Sequence, residues 1–137
     1  MQKVQHETGK VLNIGVVNRF NDGVNRIKEY IDQGKLGNIH HVYVSFRAIV
    51  PSPPGRRLYY QAIAGGGSLI DWGVHYLDIV MYCCGDPKVK TVTGETFCKL
   101  GKDMENYVYT DMWAGPPQYD GTYDVDDSVT GMVRTSG

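Results

Sequence analysis

The sequence has no surplus of either charge. Its 14 lysines and arginines stand against 15 aspartates and glutamates, too even a balance for the broad positive field that holds a polyphosphate backbone. Nucleic acid is therefore not expected as a partner. No apolar run approaches the roughly 20 residues that cross a bilayer, and Met1 to Lys10 is polar where a signal peptide would carry its apolar core. The chain reads as soluble, with no membrane partner. Cysteine is scarce. Three residues, two of them adjacent at Cys83 and Cys84, cannot make an even disulfide framework, and neighbours on a helix point in different directions. A reduced, cytoplasmic location is the expectation. Length sets a further bound, because 137 residues suffice for one packed core but not for two ordinary domains.

What is present is a mixed pattern of periods. Met1 to Thr8 suits a helix that Gly9 can stop, and Val11, Leu12, Ile14, Val16 and Val17 then make a nearly continuous apolar run. Such a run predicts a strand buried on both faces, as in a parallel sheet. Helix, glycine and buried strand in succession are the expected last elements of an α/β domain lying upstream, so the chain is expected to begin mid-domain. Asn21 can cap a helix with Val24, Ile27 and Ile31 on one face, ending at Gly34. Val42, Val44 and Phe46 alternate with Tyr43, Ser45 and Arg47, the period of a strand with two unlike faces.

Pro51 to Gly55 breaks regular structure, and Arg56, Arg57, Tyr59 and Tyr60 follow before Gly65-Gly66-Gly67. Ser68 is positioned to cap a helix running to about Cys84, where Gly85-Asp86-Pro87 supplies a stop. Val89 to Phe97 predicts a strand with a bulge at Gly94, and Ser128 to Arg134 predicts another, cut off near the end. Gly101 to Asp127 shows no clear period. This order predicts an α+β fold: an open, largely antiparallel β-sheet with helices on one face, preceded by the last helix and strand of the upstream domain.

Chemistry concentrates in the helix after Ser68. Ile70, Val74, Leu77, Met81 and Cys84 form a stripe expected to be core, and Asp71, His75 and Asp78 form a second row at spacings of four and three. The bland reading is that the aspartate and histidine simply pair, since paired ionisable groups are often structural. The functional reading draws on the setting. A glycine triplet lets backbone approach a ligand, Gly73 clears space on the same turn, and the row is flanked by Trp72, Tyr76, Ile79 and Val80 rather than by solvated side chains. An imidazole, with an ordinary pKa of about 6.5, can take a proton from a hydroxyl near neutrality. Arg19 also has two readings, as a contact near a cofactor-substrate cleft or as a structural ion-pair partner. Tyr59 and Tyr60 can line a sugar site. Asp78 is read as structural, and Asp120, Asp124, Asp126 and Asp127 as solvated charge. No metal site is expected, because His40 and His41 point to opposite faces and no third ligand accompanies Asp71 and His75.

The run from Gly65 to Asp78, followed by Gly85-Asp86-Pro87, resembles the G-G-G-x-L-x-D-x-G-x-H-x-x-D motif of the glucose-fructose oxidoreductase, inositol dehydrogenase and MocA family. Thr8 to Leu12, Asn18 to Asn21 and Gly34 to Ile39 resemble, in order, the family's passage between its two domains. The resemblance covers roughly the first 95 residues. It implies a Rossmann domain binding NAD or NADP, of which only residues 1–17 are expected here. Residues 18–137 are the expected substrate and oligomerisation domain, truncated at the C-terminus. Asp71 and His75 fall on the family's substrate-site aspartate and catalytic histidine. The implied roles are His75 as proton acceptor and Asp71 as a substrate contact; beside them, read from the residues themselves, Tyr60 is a candidate substrate contact and Arg19 a candidate cofactor-side contact. The G-x-G-x-x-G turn and the Glu-Lys-Pro segment of the family are not in this sequence, so the expectation for the chain alone is no hydride transfer. The implied substrate is a sugar, inositol or similar polyol, and the implied assembly is a homo-oligomer through the sheet. The alternative reading is a non-catalytic oligomerisation or ligand-sensing module derived from such an enzyme.

Overall fold

The computed structural model describes residues 1–46, 64–103, 106 and 123–136. Pro51 to Gly55, Arg56, Arg57, Tyr59, Tyr60 and Asp120 lie outside the described residues.

Helix α1 spans Gln2–Thr8 and stops at Gly9, as expected. The apolar run after it is not a strand. Residues 11–17 have no sheet partner among the described residues, and Val11 is 93% exposed. The same correction applies to residues 42–46, which are exposed and have no sheet partner among the described residues. A strand exists only where a second backbone supplies the hydrogen bonds, and side-chain pattern alone cannot provide one.

Helix α2, Asp22–Asp32, follows the expected local rules closely. The Asn21 side-chain oxygen accepts from the backbone N–H groups of Gly23 (2.9 Å) and Val24 (3.4 Å), and Asp22 places a negative charge in the first turn. At the far end Gly34, with φ 70°, lets its own N–H reach the Ile31 carbonyl and that of Lys35 reach the Tyr30 carbonyl, both at 2.9 Å. Two carbonyls otherwise left over at the helix end are thereby satisfied.

The helical segment carrying Asp71 and His75 is a composite. A π turn over Leu69–Gly73 runs directly into helix α3, Val74–Cys83. The Val74 N–H reaches back five residues to the Leu69 carbonyl. Gly73 makes room for the wider turn, since a Cβ there would lie 2.8 Å from Leu69 Cδ1. Gly85 then closes α3 as Gly34 closes α2, with the Asp86 N–H reaching the Met81 carbonyl at 2.8 Å. Ser68 is itself helical and gives no side-chain cap, contrary to expectation.

Strands β1, Val89–Phe97, and β2, Ser128–Thr135, pair antiparallel. The expected bulge at Gly94 is absent. Gly94 sits directly opposite Gly131, where a Cβ would meet the Thr130 carbonyl oxygen at 2.8 Å, and the register slips instead between Val89 and Thr91. The glycine pair serves close backbone approach rather than an inserted residue.

The fold is therefore α+β among the described residues: three helices and a two-stranded antiparallel sheet. The apolar stripe of α3 is not the core. Leu77 is 47% exposed, and the buried apolar side chains among the described residues are Cys83 and Val125. A stripe becomes core only where another layer covers it, and neither described strand lies over this one.

Candidate functional site

Three sets of contacts position the segment Leu69–Cys83. The first fixes its start. The Asp126 carboxylate accepts from the Gly67 N–H, the Ser68 hydroxyl and the Leu69 N–H, each at 2.9 Å, while the Asp126 carbonyl accepts from the Ser68 N–H at 2.9 Å. The neighbouring Asp127 accepts from the Gly101 N–H at 2.9 Å and donates its own N–H to the Phe97 carbonyl at 2.9 Å. Asp126 and Asp127 are thus not solvated charge, and Asp124 too has a partner. The carboxylate of Asp126 does the capping that the local sequence assigns to Ser68: it accepts from the Gly67 and Leu69 N–H groups, while the Ser68 hydroxyl is itself a donor to Asp126 and caps no amide.

Burial pushes the Asp126 carboxyl up, but the donors from Leu69, Gly67 and Ser68 outweigh it and hold the group below its ordinary range. A carboxyl with its folded pKa below the unfolded value of about 3.9 contributes stability that is complete above that value. The contribution is lost as pH falls through the folded pKa. In urea titrations between about pH 5 and about pH 2, wild type is expected to lose stability more steeply than Asp126→Asn. Parallel slopes would show that the cap does not depend on charge.

The second set fixes the middle of the helix. Phe46 stacks on Trp72, with centroids 4.8 Å apart and planes 14° apart, and on Tyr76 at 5.1 Å and 27°. The aromatic flank read from the sequence is therefore engaged by another segment. Stacked aromatics add about 0.5–1.5 kcal/mol per pair beyond area burial.

The third set ties α3 to the short 3-10 turn Asn18–Phe20 and to α2. Arg19 grips Asp78 with two parallel bonds, Nε to Oδ2 at 2.7 Å and Nη2 to Oδ1 at 2.6 Å. The hydrogen bond from Arg19 holds the Asp78 carboxyl below its ordinary range against the opposing effect of burial. Arg19 also lies over the Tyr82 ring at 5.1 Å, and the Tyr82 hydroxyl donates to Asn25 at 3.4 Å. Of the two readings of Arg19, the ion pair is present, and Nη1 is the terminal nitrogen not spent on Asp78. Asp78 is engaged structurally.

Asp71 and His75 lie on one continuous helical segment, Asp71 in the π turn and His75 at the second position of α3. Asp71 is exposed and His75 half-buried. The ring nitrogen Nδ1 of His75 is buried and has no hydrogen-bond partner among the described residues. Buried polar atoms are nearly always bonded, so an orphan nitrogen calls for an explanation. An imidazole on a helix entered through a glycine turn can accept a proton from, or donate one to, a bound hydroxyl only through a ring nitrogen that the hydroxyl can reach, which the buried Nδ1 is not. Tyr60 lies outside the described residues. No group of three or more histidine, cysteine or acidic side chains suited to a metal occurs among the described residues. All three cysteines are free, and burial raises the Cys83 and Cys98 thiols above their ordinary range. No described helix is long and apolar enough to cross a membrane.

Sequence reasoning missed Asp126 and the π turn. Asp126 carries no local signal, since its partners lie 57 to 59 residues away.

Among the described residues, a two-stranded antiparallel sheet and three helices, with a histidine and an aspartate on the helical segment that follows a glycine triplet, define an α+β domain. Residues 24–137 match the GFO/IDH/MocA C-terminal domain, and the chain belongs to that family. It is 33% identical over 128 residues to the D-glucoside 3-dehydrogenase of Escherichia coli (strain K12), covering 92% of this chain and 34% of that protein. In fold it is similar to GenD2 from gentamicin A biosynthesis, solved in complex with NAD, with a TM-score of 0.69 and 24% identity over 98% of this chain and 32% of the other. The chain thus spans about a third of the length of these relatives.

Proposed function

We propose that the chain is the substrate-side part of an NAD- or NADP-dependent oxidoreductase acting on a secondary hydroxyl or ketone of a sugar, inositol or similar polyol. The observation that carries this reading is the placement of Asp71 and His75 on one helical segment behind the glycine triplet, with His75 Nδ1 unpartnered among the described residues. In oxidation the imidazole takes the hydroxyl proton as the carbinol carbon gives up a hydride; in reduction it returns the proton to the carbonyl oxygen. Asp71 and Tyr60 hold neighbouring hydroxyls, and positioning supplies much of the rate. A bound nicotinamide supplies the hydride acceptor or donor. Residues 1–17 belong with the cofactor-binding domain and residues 18–137 with the substrate domain. On the cofactor side this chain offers Arg19 Nη1, its other two nitrogens having been placed on Asp78. The dehydrogenase relative acts on D-glucosides by name, which makes a D-glucoside the first substrate to try.

The test is turnover of the whole protein that contains this chain, with methyl glucosides, inositol and other polyols, and with NAD against NADP. Cofactor-dependent oxidation of at least one of these is expected. Complete inactivity with every pair would sink the reading and favour the non-catalytic module.

The sheet carries a separate proposal. Val92 and Val133 face each other across the ladder, on one face of the sheet, and are 69% and 41% exposed. Apolar surface of this kind marks an interface, and a second copy is the simplest cover for it. Light scattering over a dilution series is expected to show a dimer or higher assembly that Val92→Lys weakens. A monomer at the highest concentration would remove the proposal.

A further inference from the structure

We infer that Asp126, which lies next to β2 and outside the Asp71 to His75 segment, is a positioning residue for that site; the inference rests on the catalytic reading of His75. The geometry is a single carboxylate holding the first turn from outside. Its Oδ1 takes the Gly67 N–H and its Oδ2 takes both the Ser68 hydroxyl and the Leu69 N–H. Its backbone joins in, because the Asp126 carbonyl takes the Ser68 N–H. Four bonds thus fix three consecutive residues, and the Asp71 N–H bonds to the Gly67 carbonyl immediately after them.

What these bonds hold is a π turn, a geometry that is rare and concentrates at functional sites. Asp71 lies inside that turn and His75 two residues past its end. If the first turn reverts to plain α geometry, the winding ahead of His75 changes by about one residue. Asp71 and the imidazole would then be displaced relative to each other. The clamp is itself anchored. Val125 beside it is 4% exposed, and Asp127 beyond it is bonded to Gly101 and Phe97. Asp126 therefore acts on the reacting groups through the backbone of residues 67–69, without touching substrate. Asparagine in its place keeps one accepting oxygen and substitutes a donor for the other, which sets an N–H group against the donors of Ser68 and Leu69.

The experiment uses the whole protein with methyl glucoside and NAD or NADP, and compares Asp126→Asn, Asp126→Glu, Ser68→Ala and His75→Ala. Active sites are counted by cofactor binding, and assays run well below each variant's thermal midpoint. Misplacement of reacting groups by about an ångström can cost on the order of a hundredfold. Asp126→Asn is accordingly expected to lower kcat by about tenfold or more, with KM within about threefold and a larger primary deuterium isotope effect on kcat. Ser68→Ala, which removes one donor and disturbs folding least, is expected to lower kcat by about threefold in the same manner, and glutamate is expected to recover part of the asparagine loss. A purely structural role would lower the midpoint and leave kcat per active site and the isotope effect unchanged. That outcome overturns the inference, and if Asp126→Asn does not fold, Ser68→Ala decides by the same criterion. Loss of turnover in His75→Ala alongside unchanged kcat in the folded Asp126 and Ser68 variants defeats the inference alone. Turnover that survives His75→Ala, or no turnover in wild type, defeats the catalytic reading and the inference with it.

Discussion

Replacing His75 with alanine in the whole protein is expected to lower turnover by about two to four powers of ten while leaving cofactor affinity nearly unchanged, as loss of a proton acceptor does. The split follows from location. The imidazole sits on α3 with its Nδ1 buried and unengaged among the described residues, so removing it deprives no described neighbour of a bond. Folding should therefore tolerate the change, and the midpoint of thermal unfolding checks that it does. Steady-state kinetics with a cofactor titration measures the rest. Turnover within a factor of a few of wild type would return His75 to a structural role.

Gly67→Ala is expected to be the most damaging alanine substitution among the described glycines. A Cβ at Gly67 would overlap the Asp126 carbonyl oxygen and lie 2.8 Å from its carbonyl carbon. Both partners are backbone atoms bonded to each other's segments, so neither can rotate away. A loss of about 3 kcal/mol or more is expected, at the upper end of the costs measured for overpacking. Gly65→Ala makes the comparison sharp. Its φ of 81° disfavours a side chain, but no atom lies within 4 Å of the added carbon, and the cost expected is about 1–2 kcal/mol. Urea unfolding of the two variants tests the difference. Equal losses would mean that the backbone relaxes around the Gly67 methyl and that contact with Asp126 is not what excludes a side chain there.

Where sequence and structure agree, the determinants are local. Asn21 and Gly34 bound α2, Gly85 bounds α3, and the valine and threonine run of β1 begins and ends where its composition says it should. Where they part, the cause is a contact that no window of sequence contains. Val11 to Val17 and Val42 to Phe46 have the composition of strands without a described backbone beside them. Gly94 has the look of a bulge until Gly131 is found opposite it. The placement of Asp71 and His75 on one helix was legible from their spacing, but the π turn between them was not, since counting at 3.6 residues per turn assumes the regularity that Gly73 and Leu69 break. Ser68 shows the limit most clearly. It is a good capping residue in the right place, displaced by a carboxylate 58 residues away.

That distance also sets an order of events in folding. Closing a loop of nearly 60 residues costs chain entropy before any bond repays it, and contacts of such span form slowly. During synthesis α2 can assemble from its own neighbours, with Asn21 and Gly34 already in hand. The first turn of the histidine helix must wait until residue 126 has left the ribosome. Of the elements described, the one bearing Asp71 and His75 is thus completed late, and a nascent chain halted before Val125 should carry a helix whose opening amides still exchange freely with water.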